Sequence, residues 1–448
     1  MIRNADDLGG TDAREIALDC VEAGIEAATP ERVVADSVSI DGDALSVAGD
    51  RYDLADFDRI VVVGGGKAAG GVARALESVL GDRLAGGVVV TTEPAETDRI
   101  DVVVGDHPVP SERGVAGARR VLDLAREADE RALVLAAITG GASALLAAPA
   151  ADVPLADLRA TTDALLDSGA DIHEINAVRK HLSAIKGGRL ARAAAPATIV
   201  GLVLSDVVGD DLSVIASGPT APDDSTYADA RSVLDRYGID APRSVRERLE
   251  RGANGEIEET PRADDPAFDR TTNHVLADGF TALDAARDAA RERGYEVCVL
   301  SSRIRGEARE AAKTHVAVGE EALATGNPVS APAVVLAGGE TTVTVRGDGT
   351  GGPNQEFALA GAVELATGPF GTADADAALA CVDTDGKDGS TDAAGALVDA
   401  KTVTDLGDAR AALADNDAFS HLDGLNALIR TGPTGTNVND LRVFVVDA

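Results

Sequence analysis

The chain has 448 residues with 76 acidic and 41 basic side chains, a formal net charge of −35, and only six lysines (67, 180, 186, 313, 387 and 401). That balance excludes nucleic acid and anionic membrane surfaces as default partners, because both need clustered Lys and Arg. A hydrophobic content of 45% likewise excludes a disordered acidic chain.

The length suits two domains, each able to bury its own core. Cys20, Cys298 and Cys381 are widely spaced, odd in number and outside any metal-ligand pattern, so they read as small core residues in a reducing compartment. Residues 1–19 carry no apolar stretch of the signal-peptide kind. Residues 132–151 are uncharged, but Thr139-Gly140-Gly141 and Pro149 interrupt them, which favours strand, turn and helix over a membrane span. The expectation is a soluble, cytoplasmic protein. Its acidic, lysine-poor profile resembles that of proteins from salt-loving microbes such as haloarchaea, where molar salt shortens the Debye length to ~3 Å.

In chain order, Val/Ile/Leu runs predict strands at Arg59–Val63, Gly87–Thr91, Asp101–Val104, Ala132–Ile138 and Thr198–Leu204. Further strands are predicted at His274–Ala277, Glu296–Ser301, Ala333–Ala337, Thr341–Val345, Ala377–Val382 and Leu441–Val446. Helices are predicted at Lys67–Leu80, Glu112–Glu127, Leu155–Asp167, His173–Ala194, Ala282–Arg293, Glu307–Thr325 and Gln355–Thr367. Continuous apolar runs alternating with helices predict α/β domains with parallel sheets covered on both faces. The polar segment Arg251–Arg270, broken by Pro261 and Pro266, predicts a boundary that divides the chain into 1–260 and 261–448.

Five groups of residues could carry chemistry. Gly64-Gly65-Gly66-Lys67 joins a strand to a helix, where free N–H groups and a lysine suit an anion. A tight turn alone would also explain the glycines, and neither the Walker A nor the dinucleotide spacing is present. Thr139 and Ser143 flank a second glycine turn, which could hold a carboxylate or phosphate or be a capped turn. Asp171–Arg192 carries five basic and two acidic residues. His173, Asn176, Arg179, Lys180, Ser183 and Lys186 gather on one helical face opposite Ile175, Val178, Leu182 and Ile185. A solvated face paired with nearby acids is the usual meaning of such a run. In so acidic a chain an anionic-substrate pocket is the better reading. Asp206 follows a strand end, where it could act as a general base or hold Mg²⁺. In the C-terminal half, Gly338–Thr342 opens a hairpin-like element. Gly349–Glu356, Asp383–Asp392 and Thr431–Asp440 are loops rich in Gly, Thr, Asp and Asn, and paired aspartates on such a loop suit Mg²⁺ beside phosphates.

Ten segments together are similar to one family: GGGKAA (64–69), HPVP (107–110), TGGASAL (139–145), HEINAVRKHLSAIKGGRLA (173–191) and LSDVVGDD (204–211), then IASGPTAPD (215–223), GGETTVTV (338–345), GGPNQEFAL (351–359), DTDGKDGSTDAAGA (383–396) and TGPTGTNVNDL (431–441). They resemble the glycerate 2-kinases of the MOFRL type, whose members have also been described as hydroxypyruvate reductases. The resemblance implies an N-terminal Rossmann-like domain, a C-terminal MOFRL domain and an active site in the cleft between them. It also implies ATP, Mg²⁺ and D-glycerate as ligands, with 2-phospho-D-glycerate and ADP as products.

On that footing Lys67 and Asp206 are the expected catalytic residues. Thr139, Ser143, Asn176, Arg179, Lys180 and Ser183 would bind substrate, and Asp385 and Asp388 would carry the metal. Gly64, Gly65, Gly66, Gly351, Gly352, Asn354, Thr434, Gly435 and Asn437 would bind nucleotide phosphates. One departure stands out: where the family usually has the arginine of GGRNQE, this chain has Pro353, and Arg346 is the nearest substitute. The rival expectations are an NAD(P)H-dependent hydroxypyruvate reductase and a non-catalytic sugar-acid or nucleotide sensor. Small molecules are the expected partners, with the chain a monomer or homodimer.

Overall fold

A computed structural model describes residues 1–371 and 376–447. The chain forms two compact units, an inner one over Val33–Leu276 and an outer one made of Met1–Arg32 together with Ala277–Ala448. The names refer to position in the sequence.

The inner unit is built on a six-stranded sheet ordered Ile100–Val104, Leu84–Thr91, Arg59–Gly65, Ala132–Thr139, Thr198–Leu204, Thr271–Ala277. The first five strands are parallel. Ala132–Thr139 is buried at every position, which explains why it reads as an uninterrupted apolar run. The chain winds from Arg59–Gly65 toward one edge, then returns to Ala132–Thr139 and builds toward the other. These two adjacent strands mark the reversal of strand order, where open α/β sheets place ligands at the carboxyl ends. A small antiparallel meander over Val38–Asp53 precedes the sheet.

The outer unit carries a second six-stranded sheet, ordered Glu296–Glu307, Ala333–Thr342, Asp440–Val446, Ala377–Asp383, Gly395–Val398, Leu428–Ile429. Only its first pair is parallel; the others are antiparallel. The expectation of parallel sheets therefore fails here. The apolar runs reflect burial on both faces rather than strand direction: Phe357 and Leu359 of one helix cover one face, and Ile16, Val21, Ile25 and Leu283 cover the other. The hairpin expected at Gly338–Thr342 is instead part of one continuous strand, Ala333–Thr342.

Two other expectations are corrected. The helix predicted over His173–Ala194 is two, Ile172–His181 and Arg189–Ala194. Gly187 and Gly188, at φ 56° and 74°, make the turn between them. Arg251–Arg270, where a boundary was expected, lies within the inner unit Val33–Leu276 and is folded onto it. Glu259 accepts from Tyr227 N (3.1 Å) and lies 3.1 Å from His181 Nε2, and Arg192 donates to Asp265 (2.6 Å). Its acidity is complementary to the basic segment it covers.

Candidate functional site

In the inner unit, four connections leave the carboxyl edge of the parallel strands and meet at Gly140-Gly141. Lys67 N donates to Gly140 O at 2.8 Å, which locks the first glycine turn to the second. A Cβ placed on Gly141 would lie 3.1 Å from both Lys67 Cγ and His107 Cδ2, and one placed on Gly140 would overlap the Asp206 carboxylate. Lys67, His107 and Asp206 are thus gathered around one turn at the switch point. His107, from the HPVP segment three residues past the Ile100–Val104 strand end, went unassigned in the sequence. Its position at a parallel strand's carboxyl end was the available signal.

Gly64, Gly65 and Gly66 have a packing role. At φ 143° and 132°, Gly64 and Gly66 adopt backbone that other residues avoid, and side chains there would overlap the Ala137 carbonyl and the Thr139 side chain. Any residue larger than glycine would push the two central strands apart. Thr139 is 1% exposed and its Oγ1 accepts from Ala68 N at 3.1 Å, so it joins the turns and stands apart from the substrate group.

The basic segment divides in two. Lys180 is buried and donates to Asp223 at 3.0 Å, so its charge is neutralised within the protein. Arg192 is likewise matched by Asp265, and Arg189 donates to Lys180 O at 2.8 Å. The paired-charge reading holds for Lys180 and Arg192, while Arg189 is held by a backbone carbonyl. Arg179 and Lys186 differ: they line a small cavity with Ser143, Ser183, Pro108 and Pro110. Ser143 Oγ is 3.1 Å from Ser217 Oγ, which donates to Asn176 Oδ1 at 2.8 Å. Ser183 Oγ accepts from Ile185 N and Lys186 N, both at 3.2 Å, and caps the turn.

In the outer unit the three polar loops converge at one sheet end, where Asp383, Asp440 and Gly339 are in register. Pro353 opens the helix Pro353–Thr367. Asp388, buried among these loops, accepts from Asn354 N (3.1 Å), Asn354 Nδ2 (3.3 Å) and Gln355 N (2.8 Å). It anchors a helix N-terminus with both oxygens. Burial, the largest influence, raises its carboxyl to about 7 against the lowering effect of these bonds. Asn354 Nδ2 also donates to Asp440 Oδ1 at 2.7 Å, which ties that side chain into the same anchor. Gly351 and Gly352 lead into this helix, with Gly352 packed against Asp388.

Thr434 N donates to Asp385 O (3.2 Å), Thr434 Oγ1 to Thr384 O (2.6 Å), and Asn437 Oδ1 accepts from Asn439 N (3.2 Å). Gly435 has open space around its Cα. Among the described residues, no group of three or more His, Cys, Asp or Glu is disposed to hold a metal. Magnesium beside phosphates needs only one or two carboxylates. Asp388 does not fit that role, because its oxygens are engaged by the helix. Asp385 is half-buried, and Asp383 beside it accepts from Asp385 N at 3.0 Å. Burial, then Asp385 and Asp440, push the Asp383 carboxyl well above the usual range. That crowding of like charge fits a dication at Asp383 and Asp385.

Residues 16–250 match the family DUF4147, a domain of unknown function, and residues 333–440 match the MOFRL family. The chain belongs to this DUF4147–MOFRL family, that of the glycerate kinases. It is 40% identical over 444 residues to a glycerate 2-kinase of Pyrococcus horikoshii, covering 97% of this chain and 98% of that one. It is 39% identical over 440 residues to a D-glycerate 2-kinase of Thermotoga maritima, with the same coverage. The crystal structure of a glycerate kinase from Thermotoga maritima superposes with a TM-score of 0.83 at 38% identity, over 96% of this chain and 99% of that one. No helix among the described residues is long and apolar enough to cross a membrane.

Proposed function

We propose that the chain is an ATP-dependent glycerate 2-kinase that converts D-glycerate to 2-phospho-D-glycerate and ADP in the cytoplasm. The observation that carries this reading is the gathering of Lys67 and Asp206 on Gly140-Gly141 at the switch point of a parallel sheet. In the reaction the glycerate 2-hydroxyl oxygen forms a bond to the γ-phosphorus, and the bond from that phosphorus to the β–γ bridging oxygen breaks. ADP leaves with the electron pair. Charge in this loose transition state lies on the phosphoryl oxygens, so a protein accelerates it mainly by positioning and neutralisation.

Lys67 supplies the positive charge at the transferring group. Asp206 accepts or orients the hydroxyl proton. Arg179 with Ser143 receives the carboxylate, which a guanidinium can bind bidentately. The backbone at Gly351–Asn354 and Thr434–Asn437 serves the nucleotide phosphates. Asp385 with Asp383 would hold Mg²⁺, which when bound neutralises phosphate oxygens. Full-length similarity to kinases and the glycines' packing role favour this reading over a nicotinamide-dependent reductase.

A coupled assay should show ADP release only when D-glycerate is present, with the product identified as the 2-phosphate. Lys67→Ala should lower kcat by about 10³-fold or more while unfolding normally. Wild-type kcat in that variant refutes the assignment. Asp206→Asn should depress kcat far more than it changes the KM for ATP; the opposite pattern would move Asp206 to the nucleotide.

A further inference from the structure

Lys186 is 4% exposed. Its Nζ has one hydrogen bond, to the Ala216 carbonyl at 3.3 Å. No carboxylate among the described residues pairs with it or with Arg179, and the Arg179 charge acts on it unfavourably. Two neighbouring cations without a counter-ion are costly to bury, since a buried charge is normally paired. A chain with 76 acidic residues could have supplied a partner, as it does for Lys180 through Asp223. Asn176 Nδ2, on the same helix one turn before Arg179, is also buried without an acceptor. The cavity that Arg179 and Lys186 line holds about 20 Å³, room for a water-sized group. Its remaining walls are mostly apolar, from Ala144, Ala147, Ala148 and Leu158, with Ser143, Thr162 and Ser183 among them.

We propose that Lys186 is a specificity-determining residue which, with Arg179, accepts the carboxylate of a short 2-hydroxy acid in this cavity. The two cations select a carboxylate and turn away the corresponding alcohols and amides, and the small cavity admits only that end of the acid. The assignment rests on the kinase reading for the identity of the acid, but not for the existence of the anion subsite. Burial, then the Arg179 charge, lower the Lys186 ammonium well below its ordinary value, and an anion bound beside it favours the charged form.

The test is calorimetry of the wild-type protein with D-glycerate, glyceramide and inorganic phosphate, alongside the coupled assay. D-glycerate should bind, and glyceramide about 30-fold more weakly or not at all. Lys186→Met should unfold at a temperature no lower than the wild type, because an unpaired buried charge is removed. Its KM for glycerate should rise about 30-fold, with the KM for ATP and kcat within threefold. Lys186→Arg should restore part of the affinity. Equal binding of glyceramide refutes the proposal. So does a rise confined to the KM for ATP, or tight binding of phosphate with none of glycerate, each of which assigns the subsite to the nucleotide. Binding of glycerate without ADP release would sink the kinase reading and leave the subsite standing.

Discussion

Arg442 is completely buried in the outer unit, its Nη2 donating to Thr341 Oγ1 at 2.8 Å and to Asp440, with its guanidinium 4.5 Å from the Phe357 ring centre. His315 is packed beside it against Phe357 and Phe444. Burial first, and the Arg442 charge second, lower this imidazole to about 3. The unfolded histidine titrates near 6.5. Between those values the unfolded chain holds a proton that the native one does not, so stability falls as pH falls, by up to ~1.4 kcal/mol per unit. His315→Leu should therefore flatten the pH dependence of urea unfolding between pH 6.5 and 4 relative to wild type. Parallel curves would show that His315 titrates normally. The same contrast separates Lys180, matched by Asp223, from Lys186 in its cavity: adjacent in one motif, they differ only in what the fold places opposite them.

The helix Pro353–Thr367 shows why a family arginine could be replaced without loss of fold. Pro353 occupies the first helical position, where the backbone N–H has no intrahelical acceptor and a proline is well suited. The groups that hold this helix end are Asn354 N and Gln355 N on Asp388. Pro353→Arg should thus change stability by less than about 1 kcal/mol. If the family resemblance transfers, kcat should rise about tenfold or more. An unchanged kcat in a folded variant would mean that another cation, such as Arg346, already serves. Loop residues of this kind were legible as a set in the sequence, because Gly, Asn, Asp and Thr cluster at strand ends. Their individual duties were not, since one aspartate in such a loop can hold a helix and another a ligand.

The outer unit depends on residues 277–448 and on the first 32 together. Ile16, Val21 and Ile25 of the helix Asp12–Ala27 complete the core over Leu441, Val443 and Val445, and Gly24 lies directly against Leu441. A fragment beginning at residue 277 should therefore aggregate or remain unfolded by circular dichroism, and adding residues 1–32 in trans should rescue it. A cooperatively folded 277–448 fragment would contradict this account. The net charge of −35 acts across both units. Screening from ~10 Å to ~3 Å between 0.1 and 1 M salt should weaken self-repulsion and raise Tm by roughly 10 °C or more. A Tm independent of KCl would argue against adaptation to high salt.

Composition, hydrophobic period and glycine placement were enough to show an α/β protein, most strand positions and the turns where Lys67 and Asp206 sit. Those properties are local: a buried strand or a strand-to-helix turn leaves its mark in its own residues. Strand direction in the outer sheet, the break in the basic helix and the recruitment of residues 1–32 to the C-terminal core were not visible there. Each depends on what a segment meets across the fold, and a doubly buried strand reads the same whether its neighbour runs parallel or antiparallel. The charges follow the same division. Lysine scarcity marked the segments where anions are expected, but only tertiary packing distinguishes Lys180, neutralised by Asp223, from Lys186, buried in the same cavity wall as Arg179 with no acid paired to it among the described residues.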